Sequence, residues 1–188
     1  MTDTLVLLFH PFYSKSKANA ALVQAAARVP GVEVMDMYAL YGVDPIDADA
    51  EVQRLLNANR VVLQFPIQWY APPALLQSWK DAVLTRMFYM AYESEGKDFA
   101  GTPIMVAATA GNTLAAYGPT GVNLFPLKDM LHPLMATANR CGLPWAEPMF
   151  VYEANKLDAE ALEMNGVRYA SYLRSWIRDT ARTADSNS

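Results

Sequence analysis

The sequence predicts a doubly wound α/β sandwich around a five-stranded parallel sheet, and three observations carry that expectation. Short apolar runs of strand length recur along the chain, as strands buried on both faces require. Segments with apolar residues at helical spacing separate them, and such alternation calls for parallel strands with helices on both faces. The loops leaving the first, third and fourth runs are crowded with hydroxyl, amide, aromatic and proline residues, beyond the needs of a connector.

In order, Leu5 to Phe9 is the first buried strand, ending at His10-Pro11, and Ala18 to Arg28 reads as helix. Val32 to Met35 is a second, shorter strand. The turn-rich Tyr41 to Pro45 follows it, then a polar helix from Asp47, a plausible N-cap, to Asn57. Arg60 to Phe65 is the third strand. Pro72-Pro73 then opens a helix whose Leu75, Leu76, Trp79 and Val83 share one face. Ile104 to Ala108 is the fourth strand, running into Thr109-Ala110-Gly111-Asn112. Leu127 to Cys141 is helical, Met149 to Tyr152 is the fifth strand, and a last helix from Asp158 carries Leu162, Tyr169, Leu173 and Trp176. One domain over residues 1–182 is expected, with a frayed polar tail at 183–188.

The balance of 53% hydrophobic to 18% charged residues is that of a packed globular chain of one-domain length. A net charge of −4 without a basic run or basic helix face gives no electrostatic case for nucleic acid. The single cysteine, Cys141, reads as a small core residue, excludes an intrachain disulfide and fits a reducing compartment. The apolar stretch at Leu5 is too short for a secretion signal, and nothing reaches the roughly 18 apolar residues of a membrane span, so a cytoplasmic protein is expected. His132 has no second histidine or carboxylate at metal spacing, and no metal site is expected.

With strand order 2-1-3-4-5, ligands belong in the crevice beyond the carboxyl ends of the first and third strands. The first loop there, His10 to Asn19, sets the hydroxyls of Ser14 and Ser16 and the amide of Asn19 at a helix start, where free N–H groups and the helix dipole favour a phosphate. The alternative is that Ser14 or Ser16 only caps the helix. Neither a G-x-G-x-x-G nor a Walker A pattern is present. The second loop, Gln64 to Pro73, holds three prolines and two aromatics, a stiff backbone suited to presenting N–H and C=O groups to the edge of a planar ring. Trp69 offers a face for stacking, worth ~1 kcal/mol beyond burial, or serves the core.

The stretch QFPIQWYAPPALLQSWKDAVL resembles the signature segment of the NAD(P)H:quinone oxidoreductases related to DT-diaphorase, especially the short bacterial branch with the ancillary flavoproteins of glutathione-gated potassium efflux systems. HPFYSKSKAN resembles that family's first loop, LYGVDPID its LYPDFxID segment and TAGNTLAAYGPTG its TTGG…Y…G region. The resemblance implies a flavodoxin-like fold and a tightly bound flavin, with FMN expected from the single phosphate cradle and FAD as the alternative. It also implies NADH or NADPH as donor, a quinone or other small aromatic acceptor, and a homodimer with sites near its interface.

By the same resemblance, His10, Ser16 and Asn19 contact the flavin phosphate region, and Pro66, Ile67, Gln68 and Trp69 line the ring. Thr109, Gly111 and Tyr117 complete the site, Tyr117 near the reactive edge as the expected catalytic hydroxyl. Two departures stand out. Gly121-Val122-Asn123 replaces the family's glycine and histidine, so an imidazole proton source is missing there, and the double glycine is reduced to Gly111-Asn112. Arg86 to Tyr92 stands where the family has a Gly-rich segment, and Met87 to Tyr92 within it is expected at a homodimer seam, with core filling as its alternative. The expected chemistry is ping-pong transfer of two electrons through one pocket. The other readings are an electron-carrier flavodoxin, whose phosphate loop would contain glycine, a regulatory subunit attached to a potassium-efflux transporter, and an azoreductase or nitroreductase.

Overall fold

The computed structural model describes residues 3–185. Five strands, β1 (Thr4–Leu8), β2 (Val32–Asp36), β3 (Val61–Pro66), β4 (Ile104–Thr109) and β5 (Met149–Val151), form an all-parallel sheet in the order β2-β1-β3-β4-β5. The α-helices are α1 (Lys17–Ala26), α2 (Met37–Tyr41), α3 (Ala48–Leu56), α4 (Ala74–Trp79), α5 (Lys97–Phe99), α6 (His132–Arg140) and α7 (Ala159–Asp185).

Alternation along each central strand divides the core in two, because successive side chains point to opposite faces. Leu5, Leu7, Val61, Leu63, Phe65, Val106 and Ala108 pack on one side with Leu55 of α3, Leu76 and Trp79 of α4 and Leu134 and Ala138 of α6. Val6, Val62, Met105 and Ala107 pack on the other with Leu22 and Ala26 of α1 and Tyr169, Leu173 and Trp176 of α7. Both faces of the central strands are thereby covered, which explains why Leu5 to Phe9 and Ile104 to Ala108 read as unbroken apolar runs. Cys141 belongs to the first of these clusters.

Expected boundaries hold to within a residue or two, with the stretch expected from Leu127 opening as a 3-10 turn (Leu127–Leu131) ahead of α6, and Asp47 caps α3 by accepting from Ala50 N–H. Two regions differ. The stretch after β2 turns helical as α2, started by Asp36, whose Oδ1 accepts from the N–H groups of Tyr38 and Ala39. The Pro-led helix continues past α4 through wide turns at Lys80–Leu84, Arg86–Met90 and Tyr92–Gly96, with a break at Ala91 (φ −129°, ψ 40°). A Cβ on Gly96 would lie 2.4 Å from Met87 O, so glycine is what lets these turns approach. Arg86 ties them together with three hydrogen bonds to Glu95 and one to Asp49.

The segment from Met87 to Tyr92 divides accordingly. Met87 and Phe88 are buried in the core of this chain, while Tyr89, Met90 and Tyr92 are exposed. Only the last three are open to a seam. Part of the tail expected at 183–188 is the end of α7, which runs to Asp185; positions 186–188 lie outside the described residues. Among the described residues no helix is long and apolar enough to cross a membrane.

Candidate active site

The carboxyl ends of β1, β3 and β4 deliver three loops to one edge of the sheet, and hydrogen bonds lock them to each other. Ser16 is the N-cap of α1, its Oγ accepting from Asn19 N–H at 3.3 Å. Asn19 is buried. Its Nδ2 donates to Ser16 Oγ at 3.2 Å and to Thr109 Oγ1 at 3.0 Å, while its O and Oδ1 accept from Gln64 Nε2 at 3.3 and 3.2 Å. One amide therefore ties the first loop to β3 and β4. Asn19 and Thr109 act through this buried network, and Ser16 does cap the helix as the alternative reading had it.

The first intrahelical bond of α1 runs from Ala20 N–H to Ser16 O, which leaves the N–H groups of Lys17 and Ala18 at its start without a helical partner. Beside that helix end lies a cavity of about 320 Å³ lined by His10, Phe12, Lys15, Ser16 and Asn155. Ser14 is exposed in the short turn Tyr13–Lys15. His10 Nδ1 accepts from Phe12 N–H at 3.1 Å, a role for neutral imidazole. Burial lowers its pKa from the ordinary value, outweighing a backbone hydrogen bond and the charge of Asp36, and so favours that neutral form.

After β3 the chain makes a two-residue hairpin. Gln68 and Ala71 exchange N–H···O bonds of 2.9 and 3.1 Å, with Trp69 (φ 47°) and Tyr70 (φ 65°) between them. Both central residues are left-handed, as in a type I′ turn, where Asn-Gly is the usual choice. Two aromatic residues with Cβ atoms occupy it instead, at a cost of roughly 1–2 kcal/mol each. Trp69 is 93% exposed, so it fills no part of this chain's core. Ile67 N–H bonds Thr109 O at 2.8 Å, and with Gln68 N–H also engaged the turn's N–H groups left to face a ligand are those of Trp69 and Tyr70. Pro66 closes β3 and, with Ile67, is half-buried at the base of this turn.

The loop after β4 carries Gly111, Tyr117 and Asn123. Gly111 is exposed, and a Cβ there would meet Asn155 Nδ2 at 3.6 Å, which puts it beside the cavity of the first loop. Gly121 is required, since a Cβ would fall 2.3 Å from Ala116 O. Tyr117 stands with its ring 5.9 Å from that of Tyr152, just beyond β5. Burial first, then the neighbouring Tyr70, raises its pKa above the ordinary 10.0, so its hydroxyl remains a proton donor through neutral pH. Tyr70 Oη reaches the same loop, donating to Asn123 Oδ1 at 3.3 Å.

The sequence-predicted residues thus fall on one sheet edge. His10, Ser14 and Ser16 lie at the start of α1, Pro66 and Ile67 lead into the left-handed turn that begins at Gln68 and Trp69, and Gly111 and Tyr117 lie on the third loop. Sequence reasoning missed Phe12, Lys15 and Asn155 of the cavity, and Tyr70, Asn123 and Tyr152 around Tyr117. Asn155 and Tyr152 follow β5, whose loop carries no glycine or proline signal, although both lie beyond the carboxyl end of a strand.

The edge has the chemistry of a phosphate-bearing planar ring. A helix N-terminus, Lys15 and two serine hydroxyls suit a phosphate, and the fixed turn offers N–H groups to ring heteroatoms. The relatives carry this further. A family model described as flavodoxin-like fold matches residues 2–173. A protein of Bacillus subtilis (strain 168) named uncharacterized NAD(P)H oxidoreductase YdeQ is 33% identical over 170 residues, covering 90% of this chain and 85% of its own. The glutathione-regulated potassium-efflux system ancillary protein KefG of Pectobacterium carotovorum subsp. carotovorum (strain PC1) is 36% identical over 178 residues, covering 95% and 96%. A crystal structure of general stress protein 14 from Treponema denticola in complex with FMN superposes with a TM-score of 0.79 at 30% identity, over 95% of this chain and 99% of that one. By strand order, matched length and relatives alike, this chain belongs to the flavodoxin-like fold family.

Proposed function

We propose that this chain is a cytoplasmic, flavin-dependent NAD(P)H:quinone oxidoreductase that holds FMN at the carboxyl edge of its sheet. The observation that carries the reading is the anion cradle at the start of α1 set beside the strained Trp69-Tyr70 turn, one place for a phosphate and one for a ring. An FMN-bound structural relative and an NAD(P)H oxidoreductase relative support it. FMN is favoured over FAD because the edge offers one such cradle.

When bound, the flavin supplies two-electron transfer between a dihydronicotinamide and an acceptor. The chain's own residues do the rest. Lys15, Ser14, Ser16 and the N–H groups of Lys17 and Ala18 hold the phosphate. The N–H groups of Trp69 and Tyr70 fix the ring edge, and Gly111, exposed and without a side chain, leaves room for it. Tyr117 keeps a hydroxyl hydrogen available where the acceptor gains negative charge. Donor and acceptor use the one open face in turn, the basis of a ping-pong scheme. Steady-state oxidation of NADH and NADPH by FMN-loaded protein with menadione tests this. Menadione-dependent turnover with parallel-line kinetics is expected, and no acceleration over free FMN contradicts it.

Trp69, Leu114, Val122, Leu124 and Phe125 leave an apolar rim exposed around this edge. We read that rim, with Tyr89 and Met90, as the seam of a homodimer. Light scattering at micromolar concentration is expected to give twice the chain mass, and a monomer contradicts the reading. The KefG relative supports a second role at the same site, in which flavin and nucleotide occupancy reports to a potassium-efflux transporter.

A further inference from the structure

Tyr70 and Asn123 join two loops at the proposed site. Tyr70 is half-exposed in the left-handed turn (φ 65°), and Asn123, 7% exposed, holds its hydroxyl. The Asn123 backbone is pinned on both sides, its N–H on Ala116 O at 2.9 Å and its O accepting from Phe125 N–H at 2.7 Å. Its Nδ2 is buried and has no hydrogen-bond partner among the described residues. An orphaned buried N–H group calls for an explanation.

The 3.3 Å spacing between Tyr70 Oη and the amide serves two arrangements. In one the hydroxyl donates to Oδ1, as described. With the amide turned over, Nδ2 donates to Tyr70 Oη and the phenolic hydrogen is released to point elsewhere. An amide can accept and donate at one size, whereas a carboxylate only accepts. The second arrangement leaves a buried carbonyl oxygen short of a partner, which proteins tolerate more readily than an orphaned N–H.

Resting on the quinone-reducing reading above, we propose that Tyr70 binds the acceptor, its phenolic hydrogen meeting a carbonyl oxygen of a quinone-class ring. Asn123 positions it by turning from hydrogen-bond acceptor to donor when that oxygen arrives. Only hydrogen bonds are exchanged, and no covalent bond forms or breaks. Tyr70 thus stands beside Tyr117, with Asn123 as the partner that frees its hydroxyl hydrogen.

Asn123→Asp keeps size and the acceptor for Tyr70 Oη, and when ionised it removes the donor but adds a charge at a buried position, so it is read beside Tyr70→Phe, which adds none. Menadione binding to the oxidised, FMN-loaded protein is read by calorimetry, and turnover is compared between menadione and ferricyanide, which has no carbonyl oxygen. Asn123→Asp and Tyr70→Phe are each expected to weaken menadione binding and to lower its kcat/KM by about 3- to 10-fold, the range for one lost hydrogen bond. In Tyr70→Phe ferricyanide turnover should fall far less than menadione turnover, and the double variant should bind menadione no worse than Tyr70→Phe alone. Wild-type menadione affinity in Asn123→Asp, or losses that add in the double variant, would overturn the proposal. Should Asn123→Asp fail to take up FMN, Tyr70→Phe decides alone, and unchanged menadione affinity there overturns it. A wild-type protein that oxidises NADPH with ferricyanide but ignores menadione would defeat this inference and the choice of acceptor while sparing the flavoprotein reading.

Discussion

Tyr117→Phe is expected to lower kcat and kcat/KM together by about 10²–10⁴-fold while FMN stays bound, the pattern of a contact made only in the transition state. The ring sits against Tyr152, so the phenylalanine variant keeps its packing and loses one hydroxyl. Burial, with Tyr70 as the second cause, holds this hydroxyl's pKa above 10.0. A donor must be protonated to act, so wild-type activity persists through neutral pH and falls only as pH climbs through that raised value. The variant should lose this basic limb. Stopped-flow mixing locates the defect: reoxidation by menadione slows and reduction by NADPH is spared. A change below about threefold, against the range expected of acid–base assistance, removes Tyr117 from proton supply. Slowing confined to reduction makes it a nicotinamide-positioning residue.

The second large effect is on stability. Asn19→Ala removes the amide that links Ser16, Gln64 and Thr109: Thr109 Oγ1 loses its donor, and the buried Gln64 Nε2 keeps only the backbone oxygen of residue 19. Leaving such groups unpaired costs about 1–3 kcal/mol each, so a loss of roughly 2–4 kcal/mol is expected, read as a lower midpoint in urea at unchanged slope. FMN affinity should fall as well, because the start of α1 is no longer anchored to β4. Wild-type stability in this variant would mean that the network is dispensable.

The sheet was legible because its central strands are buried on both faces, and burial of that kind writes itself as unbroken runs such as Leu5 to Phe9. The α2 helix was not. Its signal is a single cap at Asp36, and five residues carry too little periodicity to outweigh the turn residues that follow. The wide turns after α4 escaped for a related reason, since their spacing is held by the Gly96 approach and by Arg86, contacts between residues distant in sequence. At the site, Ser16 and Trp69 could be picked out from residue type and position beyond strand ends. The left-handed turn at Trp69-Tyr70 could not, because aromatic residues have no preference for that geometry and only the fold imposes it. Asn155 and Tyr152 come from the loop after β5, which topology alone could have added to the list.

The central claim is that this edge binds FMN and passes electrons from a nicotinamide through it. Anaerobic titration of the FMN-loaded, gel-filtered protein with NADPH, followed by menadione, tests it most directly. Loss of the visible flavin band at one equivalent of NADPH, and its full return with one equivalent of menadione, is the expected result. A protein that retains no flavin after gel filtration, or whose bound flavin stays oxidised with both NADPH and NADH, would contradict it.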